Sequence, residues 1–268
     1  MERVLKYPGA KWNMASWIID RIPEHHTYLE PFFGSGGVFF SKQPSNIETI
    51  NDRDEDVSNL FEVIRDDPEQ LAWLVSMTPY GRVEYLKAFE NVSDPDRHQR
   101  ARAFLVRCWQ GHGFRTNEYR VGWKNDIAGR EQMYAAYDWY RLPKRILDTA
   151  DRLKQVQIEN QPAIKLIQRY NYDKVFIYVD PPYVIGSRSG QQKQYKHEMT
   201  DDDHIKLLKT LVISKAKVMI SGYENDIYNE HLKGWNKDDL QQQAEYGGDR
   251  HEIIWYNYDH NEQIELEI

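Results

Sequence analysis

The feature that most restricts the fold is an uninterrupted apolar run at residues 174–179, KVFIYV. A strand with one face in water alternates apolar and polar residues, whereas a strand covered on both faces is apolar throughout. A second run of this kind lies at residues 217–221, KVMIS. Two such strands predict a parallel sheet covered by helices on both faces, because parallel neighbours need long crossover connections.

The N-terminal part of the chain has the pattern of an α/β unit. Residues 27–33 are predicted as a strand that runs into a glycine turn, and 38–42 as the helix that leaves this turn. Residues 47–51 are predicted as a second short strand. Strand, turn, helix and strand in this order predict that the first two strands are parallel neighbours.

A long helical stretch separates this unit from the rest of the sheet. Residues 57–152 have helical spacing around one irregular, glycine-rich stretch and contain no convincing strand. The chain then returns to alternating strands and helices, and its C-terminal residues are predicted to form a closing hairpin that turns at 259–261. We therefore predict a catalytic domain made of residues 1–56 and 153–268, interrupted by a helical insert at 57–152.

Composition excludes several classes of protein. With 40% hydrophobic and 29% charged residues the chain is globular. Its single cysteine, Cys108, excludes an internal disulfide and disfavours a cysteine-built metal site, so we expect no metal. No apolar run approaches the ~20 residues that span a bilayer, and the N-terminus lacks the apolar core of a signal peptide. We expect a cytoplasmic protein with no membrane partner.

Charge is distributed unevenly along the chain. The formal net charge is −7, which by itself argues against a strongly basic nucleic-acid-binding protein. Residues 97–152, however, hold 12 Lys and Arg against 6 Asp and Glu. A basic segment on an acidic body is the pattern expected when one face contacts a polyanion.

A glycine-rich motif, EPFFGSGGVFF at residues 30–40, stands between the first predicted strand and its helix. Glycines allow a sharp turn and a close approach to a ligand, and the helix that follows offers unpaired N–H groups. Asp52 ends the next strand, where an acid typically binds the hydroxyls of a ribose. These features predict a nucleoside-type cofactor. The dinucleotide fingerprint is incomplete because Phe39 occupies its third glycine position, which disfavours a nicotinamide oxidoreductase.

A rigid corner, Asp180-Pro181-Pro182-Tyr183, directly follows the buried strand at 174–179. Ligands of such sheets bind at the carboxyl ends of the strands. The two prolines lack N–H donors and restrict the backbone. The Asp180 carboxylate and the Pro181 carbonyl can therefore accept both hydrogens of one exocyclic amine, while Tyr183 stacks on a flat base.

A third motif, KYPGAKW at residues 6–12, offers an aromatic ring and a cation ahead of the glycine turn. Taken in order, YPGAK at 7–11, EPFFGSGG at 30–37, Asp52 and DPPY at 180–183 resemble the Dam-type, D12 class adenine-specific DNA methyltransferases. The order of the motifs is that of the family's alpha arrangement, in which the target-recognition insert separates the cofactor motifs from the catalytic motif.

The resemblance implies the fold of methyltransferases that use S-adenosylmethionine: a three-layer αβα sandwich around a mostly parallel seven-stranded sheet. It implies a catalytic set of Asp180, Pro181, Pro182 and Tyr183. The cofactor-binding set that it implies is Tyr7, Lys11, Glu30, Pro31, Phe33, Gly34, Gly36, Asp52 and Asp180. For Glu30, a structural role and a contact with the amine of the cofactor's methionine both stay open.

Two segments are predicted to contact DNA. One is the irregular part of the insert, and the other is the polar loop at 184–199, whose composition suits a loop that orders on a phosphate backbone. The candidate residues are Arg115, Asn117, Arg120, Lys124, Arg188, Lys193 and Lys196. For each single cation of the loop, a solvated surface position is an alternative.

The leading hypothesis is an enzyme that methylates N6 of a flipped-out adenine at a short site in duplex DNA, with GATC as the family-level expectation. The alternatives are a catalytically silent regulatory protein that binds DNA, and methylation of another planar amine, such as N4 of cytosine, an RNA adenine or a glutamine. Asp180 favours adenine, because N4-cytosine enzymes usually place Ser there and glutamine-modifying enzymes Asn. We expect a monomer or weak dimer, and a cognate restriction endonuclease as a candidate partner.

Overall fold

The computed structural model describes residues 1–90, 92–113, 115–117, 119–125, 135–188, 193–243 and 249–259. The strands are β1 (Thr27–Glu30), β2 (Ile47–Asn51), β3 (Val156–Glu159), β4 (Val175–Val179), β5 (Lys217–Gly222), β6 (Asn236–Gln243) and β7 (Asp249–Tyr256). The helices are α1 (Ala15–Ile19), α2 (Gly37–Ser41), α3 (Glu55–Asp66), α4 (Pro68–Ser76), α5 (Arg82–Lys87), α6 (Arg97–Gln110), α7 (Ala135–Leu153), α8 (Ala163–Arg169), α9 (Asp201–Val212) and α10 (Asp226–His231).

These strands form one seven-stranded sheet with the order β3-β2-β1-β4-β5-β7-β6. Strands β1 to β5 pair in parallel, and β7 runs antiparallel between β5 and β6. The strand order reverses between β1 and β4, and open α/β sheets bind ligands in the crevice at such a point. The glycine motif follows β1 and the Asp180 corner follows β4, so both open onto this crevice.

Strand β4 shows why the sheet needs helices on both faces. All five of its residues are buried. Phe176 and Tyr178 pack in one hydrophobic cluster, while Val175, Ile177 and Val179 pack in a second cluster on the opposite face. The predicted three-layer fold with a mostly parallel seven-stranded sheet is therefore confirmed.

The helices between β2 and β3 pack against one face of the sheet. The ring of Phe61 on α3 lies 4.8 Å from the ring of Phe33 in the glycine motif. The indole of Trp109 on α6 donates a hydrogen bond of 2.7 Å to the Val4 carbonyl. Within the described residues these helices belong to the same hydrophobic cluster as that sheet face, so the described part of the predicted insert at 57–152 packs directly on the sheet. The division into a catalytic domain and a target-recognition insert stays a prediction.

The C-terminal hairpin differs from the prediction. Strand β7 pairs with β6, which precedes it, and β6 was not predicted. The reason is composition: β6 reads NKDDLQQQ and lies at the sheet edge, where polar and charged side chains protect an unpaired strand. Residues 260–268, which hold most of the predicted turn and the second strand of the predicted hairpin at 252–268, lie outside the described residues. None of the helices in the described ranges combines the length and apolar character needed to cross a bilayer.

Candidate active site

The glycine motif forms a tight turn that Asp52 holds in place. Gly34 and Gly36 have φ values of +51° and +66°, a region that other residues rarely adopt. A Cβ atom at Gly36 would also collide with the ring of Phe33. The Asp52 carboxylate accepts hydrogen bonds from the Gly34 N–H at 2.8 Å and the Asp54 N–H at 2.9 Å. The glycine turn and the end of β2 are thereby joined.

A cavity of about 290 Å³ opens beside this turn. Its walls come from the N-terminal segment, the glycine motif, the end of β2, the start of α8, the Asp180 corner and the segment before α9. Eight of the residues predicted for the cofactor line it: Tyr7, Lys11, Glu30, Pro31, Phe33, Gly34, Asp52 and Asp180. Gly36 does not line the cavity but shapes the turn beneath it. The structure therefore brings the predicted cofactor set together around one cavity.

Two carboxyl groups of this cavity have altered acidity. Glu30 is 3% exposed and accepts a 2.6 Å hydrogen bond from the Tyr28 hydroxyl. Burial raises the pKa of Glu30 to about 8 and that of Asp52 to about 7. A cation beside Glu30, or hydroxyl donors beside Asp52, would favour the ionised forms. Both groups therefore suit a ligand that carries an amine and a ribose.

Lys11 connects the N-terminal segment to the carboxyl edge of the sheet. Its Nζ donates a 2.8 Å hydrogen bond to the Gly9 carbonyl and lies 3.0 Å from Oδ1 of Asp180 and 3.1 Å from Oε1 of Glu252. Burial alone would lower the pKa of Lys11, but the carboxylates of Asp180 and Glu252 raise it above its ordinary value. Lys11 is therefore a buried ammonium shared by two carboxylates.

A second cavity, of about 240 Å³, lies on the other side of the Asp180 corner. Ser221 at the end of β5 donates a 2.7 Å hydrogen bond to Oδ1 of Asp180. The hydroxyl of Tyr183 donates to Glu252, and its ring meets that of Tyr223 edge to face at 4.7 Å. Polar acceptors beside two aromatic rings form a cavity suited to a flat base with an exocyclic amine.

The two cavities meet at a boundary formed by residues that line both: Gly9, Ala10, Lys11, Asp180 and Tyr195. Tyr195 is held there by a 3.2 Å hydrogen bond from its hydroxyl to the Pro8 carbonyl. A group carried by a ligand of the first cavity can therefore meet a nucleophile in the second cavity next to the Asp180 carboxylate. This geometry is what a group transfer between two bound molecules requires.

Comparison with known proteins agrees with this geometry. Residues 7–247 match the D12 class of N6 adenine-specific DNA methyltransferases. The chain belongs to this family. A curated relative, the type II methyltransferase M1.LlaDCHI of Lactococcus lactis subsp. cremoris, is 27% identical over 253 residues, which cover 86% of this chain and 84% of the relative.

Similar solved structures include precorrin 8w decarboxylase of Methanobacterium thermoautotrophicum, at 9% identity with a TM-score of 0.38 and 94% coverage of both chains. Another is a protein of Escherichia coli assigned as a methyltransferase, at 10% identity with a TM-score of 0.39, covering 95% of this chain and 92% of that one. Membership of the D12 class makes this chain a DNA methyltransferase and implies S-adenosylmethionine as the methyl donor.

The two segments predicted to contact DNA lie against each other in this methyltransferase. The Thr116 N–H donates to the Gln194 carbonyl at 2.9 Å, and the Asn117 side chain donates to the Lys193 carbonyl at 2.8 Å. The Lys196 N–H donates to the Thr116 hydroxyl at 2.8 Å. Residues 116–117 of the insert and residues 193–196 of the loop therefore form one surface beside the cavities.

The predicted DNA-binding cations differ in their surroundings. Arg115 lies over the ring of Tyr119 at 5.1 Å, and the exposed Arg120 lies over Phe89 at 4.9 Å. The backbone of Lys124 is fixed by hydrogen bonds with Gln110 and Tyr80. Lys193 and Lys196 are exposed, and Lys196 forms a 2.8 Å ion pair with Glu55.

Arg188 has surroundings that the prediction did not anticipate. It is 8% exposed, and its guanidinium donates two hydrogen bonds to the Glu198 carboxylate at 2.9 and 2.8 Å. In this conformation Arg188 pairs with Glu198 of the same loop and also lines the second cavity. The residue types of the loop could not indicate this, because the pairing depends on how the loop folds back.

Four residues of the active site were missed from the sequence: Tyr195, Ser221, Tyr223 and Glu252. Ser221 ends the buried run at 217–221 and Tyr223 follows two residues later, so the rule that ligands bind at the carboxyl ends of strands, which was applied to Asp180, could have found both. Glu252 is a single acid beside the apolar residues of β7 and gave a weak signal. Tyr195 gave none. Within the described ranges no group of three or more His, Cys, Asp or Glu is placed to hold a metal ion.

Proposed function

We propose that this D12 class methyltransferase transfers the methyl group of S-adenosylmethionine to N6 of a flipped-out adenine at a specific site in duplex DNA. The observation that carries the proposal is the position of Asp180. Its carboxylate lies at the boundary of the two cavities, next to the Pro181 carbonyl and the ring of Tyr183. Acceptors for an amine therefore stand where a methyl donor in the first cavity would be within reach.

The residues of the first cavity fit the cofactor. When bound, S-adenosylmethionine supplies an electrophilic methyl group on its sulfonium. Asp52 accepts hydrogen bonds from ribose hydroxyls, and Glu30 pairs with the ammonium of the methionine part once it has lost its proton. Gly34 brings its backbone close to the ligand, and Tyr7 packs over this turn, since a Cβ atom at Gly34 would lie 3.0 Å from the Tyr7 ring. Lys11 lies at the end of this cavity that faces the amine.

The residues of the second cavity act on the target amine. The adenine must leave the duplex to reach them, and Tyr183 stacks on the flipped ring. Asp180 and the Pro181 carbonyl accept the two amine hydrogens, which turns the nitrogen lone pair toward the methyl group. Pro182 keeps the corner rigid. The carboxylate also stabilises the positive charge that would develop on the nitrogen as the new N–C bond replaces the S–C bond. The products would be S-adenosylhomocysteine, the methylated amine and one proton lost from the nitrogen.

The surface built from residues 115–117 and 193–196 is the proposed docking site for the DNA backbone. Arg120 and Lys193 offer exposed cations close to this surface, which supports phosphate contact. The recognition site is proposed to be GATC or a similarly short sequence. Because a relative is a type II methyltransferase, we propose that this enzyme too protects DNA in a type II system with a cognate endonuclease.

The test uses S-adenosylmethionine labelled on its methyl group and unmethylated duplex DNA. After transfer, the DNA is digested to nucleosides and the labelled nucleoside is identified. We expect label in N6-methyladenine only, and none with the Asp180→Asn variant. Label in N4-methylcytosine would replace the proposed target. No label in DNA, nor in RNA offered as a second substrate, despite measurable cofactor binding, would instead support a silent regulatory protein.

A further inference from the structure

Glu252 is an acidic residue of the active site that none of the recognised motifs includes. It lies on β7, which runs antiparallel to its neighbour β5, and it is 7% exposed. Its neighbour Ile253 pairs in register with Gly222, so β7 places Glu252 beside the end of β5 and the residues that follow it. The side chain lines the second cavity.

The contacts of Glu252 involve two groups of the proposed machinery. Its Oε1 lies 3.1 Å from Nζ of Lys11 and accepts the hydrogen bond from the Tyr183 hydroxyl. Lys11 in turn lies 3.0 Å from Asp180 and 4.8 Å from the centre of the Tyr183 ring. One carboxylate oxygen thus joins the cation beside Asp180 to the ring expected to stack on the target base.

We propose that Glu252 is a positioning residue for methyl transfer, which holds the Lys11 ammonium and the Tyr183 ring so that the Asp180 carboxylate faces the target amine. This proposal rests on the proposed function. Without Glu252, the Lys11 ammonium would pair with Asp180 alone and compete with the amine for that carboxylate. The hydroxyl of Tyr183 would also lose the acceptor that sets the orientation of its ring.

Charge gives a second reason for the role of Glu252. Lys11, Asp180 and Glu252 together carry one net negative charge, whereas Lys11 and Asp180 alone would be neutral. Methyl transfer places positive charge on the amine nitrogen, and a preorganised negative environment stabilises that charge. Stability alone does not account for a buried carboxylate here, because apolar residues of similar size are often neutral or stabilising at such positions.

The test compares kcat and KM of four forms: wild type, Glu252→Gln, Glu252→Asp and the control Asp239→Asn. Asp239 lies on β6 of the same hairpin, with its side chain 67% exposed. The glutamine keeps an acceptor for both partners but removes the charge. We expect kcat to fall by about tenfold to hundredfold in Glu252→Gln, with KM for both substrates within about threefold of wild type. Glu252→Asp should recover part of kcat, and Asp239→Asn should match wild type.

A double-variant cycle separates positioning from general loss of structure. If Glu252 acts through Tyr183, the variant with both Tyr183→Phe and Glu252→Ala should lose much less than the product of the losses in Tyr183→Phe and Glu252→Ala alone, because each single change removes the same hydrogen bond. Wild-type kcat in Glu252→Gln would overturn the proposal while leaving the proposed function intact. Equal falls in kcat and cofactor affinity in Glu252→Gln, together with fully additive effects of the two substitutions in the cycle, would also overturn the proposal.

A measurement without turnover keeps this test separate from that of the proposed function. The Nζ hydrogens of Lys11 should exchange slowly with water in the wild type and be visible by NMR in a protein with ¹⁵N-labelled lysine. The signal is assigned by its absence in Lys11→Met. In Glu252→Gln it should exchange faster, even if no methyl acceptor is found. An unchanged signal would show that Glu252 does not hold Lys11.

Discussion

The Nζ atom of Lys11 lies 3.0 Å from Oδ1 of Asp180, so the N-terminal segment and the end of β4 form a single site. The two residues are far apart in the chain, and the helices between β2 and β3 separate their motifs. Both line the two cavities that meet at this point. The Asp180 corner is therefore completed by a residue that precedes the first strand.

Asp180→Asn should remove methyl transfer while sparing the cofactor. The amide has nearly the same size but lacks the charge, and it cannot pair with the Lys11 ammonium. We expect kcat to fall by about a hundredfold or more, with the dissociation constant for S-adenosylmethionine within about threefold of wild type. Initial rates and equilibrium dialysis measure the two quantities. Substantial turnover in the variant would exclude the role given to Asp180.

Cofactor affinity should depend on pH through Asp52. Burial raises the pKa of this carboxyl to about 7 in the free protein. The ionised form is the better acceptor for ribose hydroxyls, so affinity should weaken as pH falls below 7, by up to about tenfold per pH unit. Titration calorimetry between pH 5.5 and 8.5 would measure this. Asp52→Asn should bind more weakly and lose the part of this dependence that Asp52 contributes near pH 7, while the part that Glu30 contributes near pH 8 remains. A variant profile as steep as that of wild type below pH 7 would contradict the assignment.

The stability of the free protein should depend on Glu30 at alkaline pH. Burial raises the pKa of this carboxyl to about 8 from an ordinary value of 4.5. The folded state therefore binds the proton more tightly than the unfolded chain, and stability falls as pH rises toward and through 8. Glu30→Gln cannot ionise and should be more stable than wild type at pH 9, by roughly 5 kcal/mol, the free energy that corresponds to a pKa of about 8 in place of 4.5.

Denaturant unfolding at pH 6 and pH 9 tests this prediction. The advantage of Glu30→Gln should be much smaller at pH 6, where the wild-type carboxyl is protonated. Glu69→Gln, an exposed position on α4, serves as the control and should show no such difference. If Glu30→Gln and wild type lose the same amount of stability between pH 6 and pH 9, the pKa of Glu30 is not raised in the folded protein.

Arg115 and Arg120 should contribute to DNA binding through phosphate contacts. Each contact releases condensed counterions, so the plot of log affinity against log salt should lose about 0.9 of slope per contact. The variant with both Arg115→Gln and Arg120→Gln should therefore have a slope smaller by about 1.8. Lys165→Gln with Arg169→Gln on α8 removes the same charge and should leave the slope close to wild type. Equal slopes for both double variants would place the docking surface elsewhere.

Arg188→Ala should loosen the loop before α9 without a comparable change in salt slope. Glu198 accepts two hydrogen bonds from Arg188 and also accepts the N–H groups of Gln194 and Tyr195. Loss of the guanidinium leaves this carboxylate without its charged partner. We expect faster amide hydrogen exchange at residues 194–195. If exchange is unchanged and the salt slope falls by about one, Arg188 contacts phosphate as first predicted.

Features that depend on local sequence could be predicted. The buried strand β4 needs five consecutive apolar residues, the turn at Gly34 and Gly36 needs residues that tolerate positive φ, and two prolines make the corner after Asp180 rigid. Each of these follows from neighbouring residues alone. The fold class and most of the cofactor cavity could therefore be predicted from the sequence.

Features that depend on distant residues needed the tertiary structure. Strand β6 is too polar to be recognised and exists because it pairs with β7. The same pairing of β7 with β5 brings Glu252 to Lys11 and Tyr183, and the fold of its loop turns Arg188 toward Glu198. The sequence by itself determined which residues can form turns, which can be buried and which can accept hydrogen bonds. Only the tertiary structure decided which charges meet, because a carboxylate and an ammonium attract one another through space, whatever their separation along the chain.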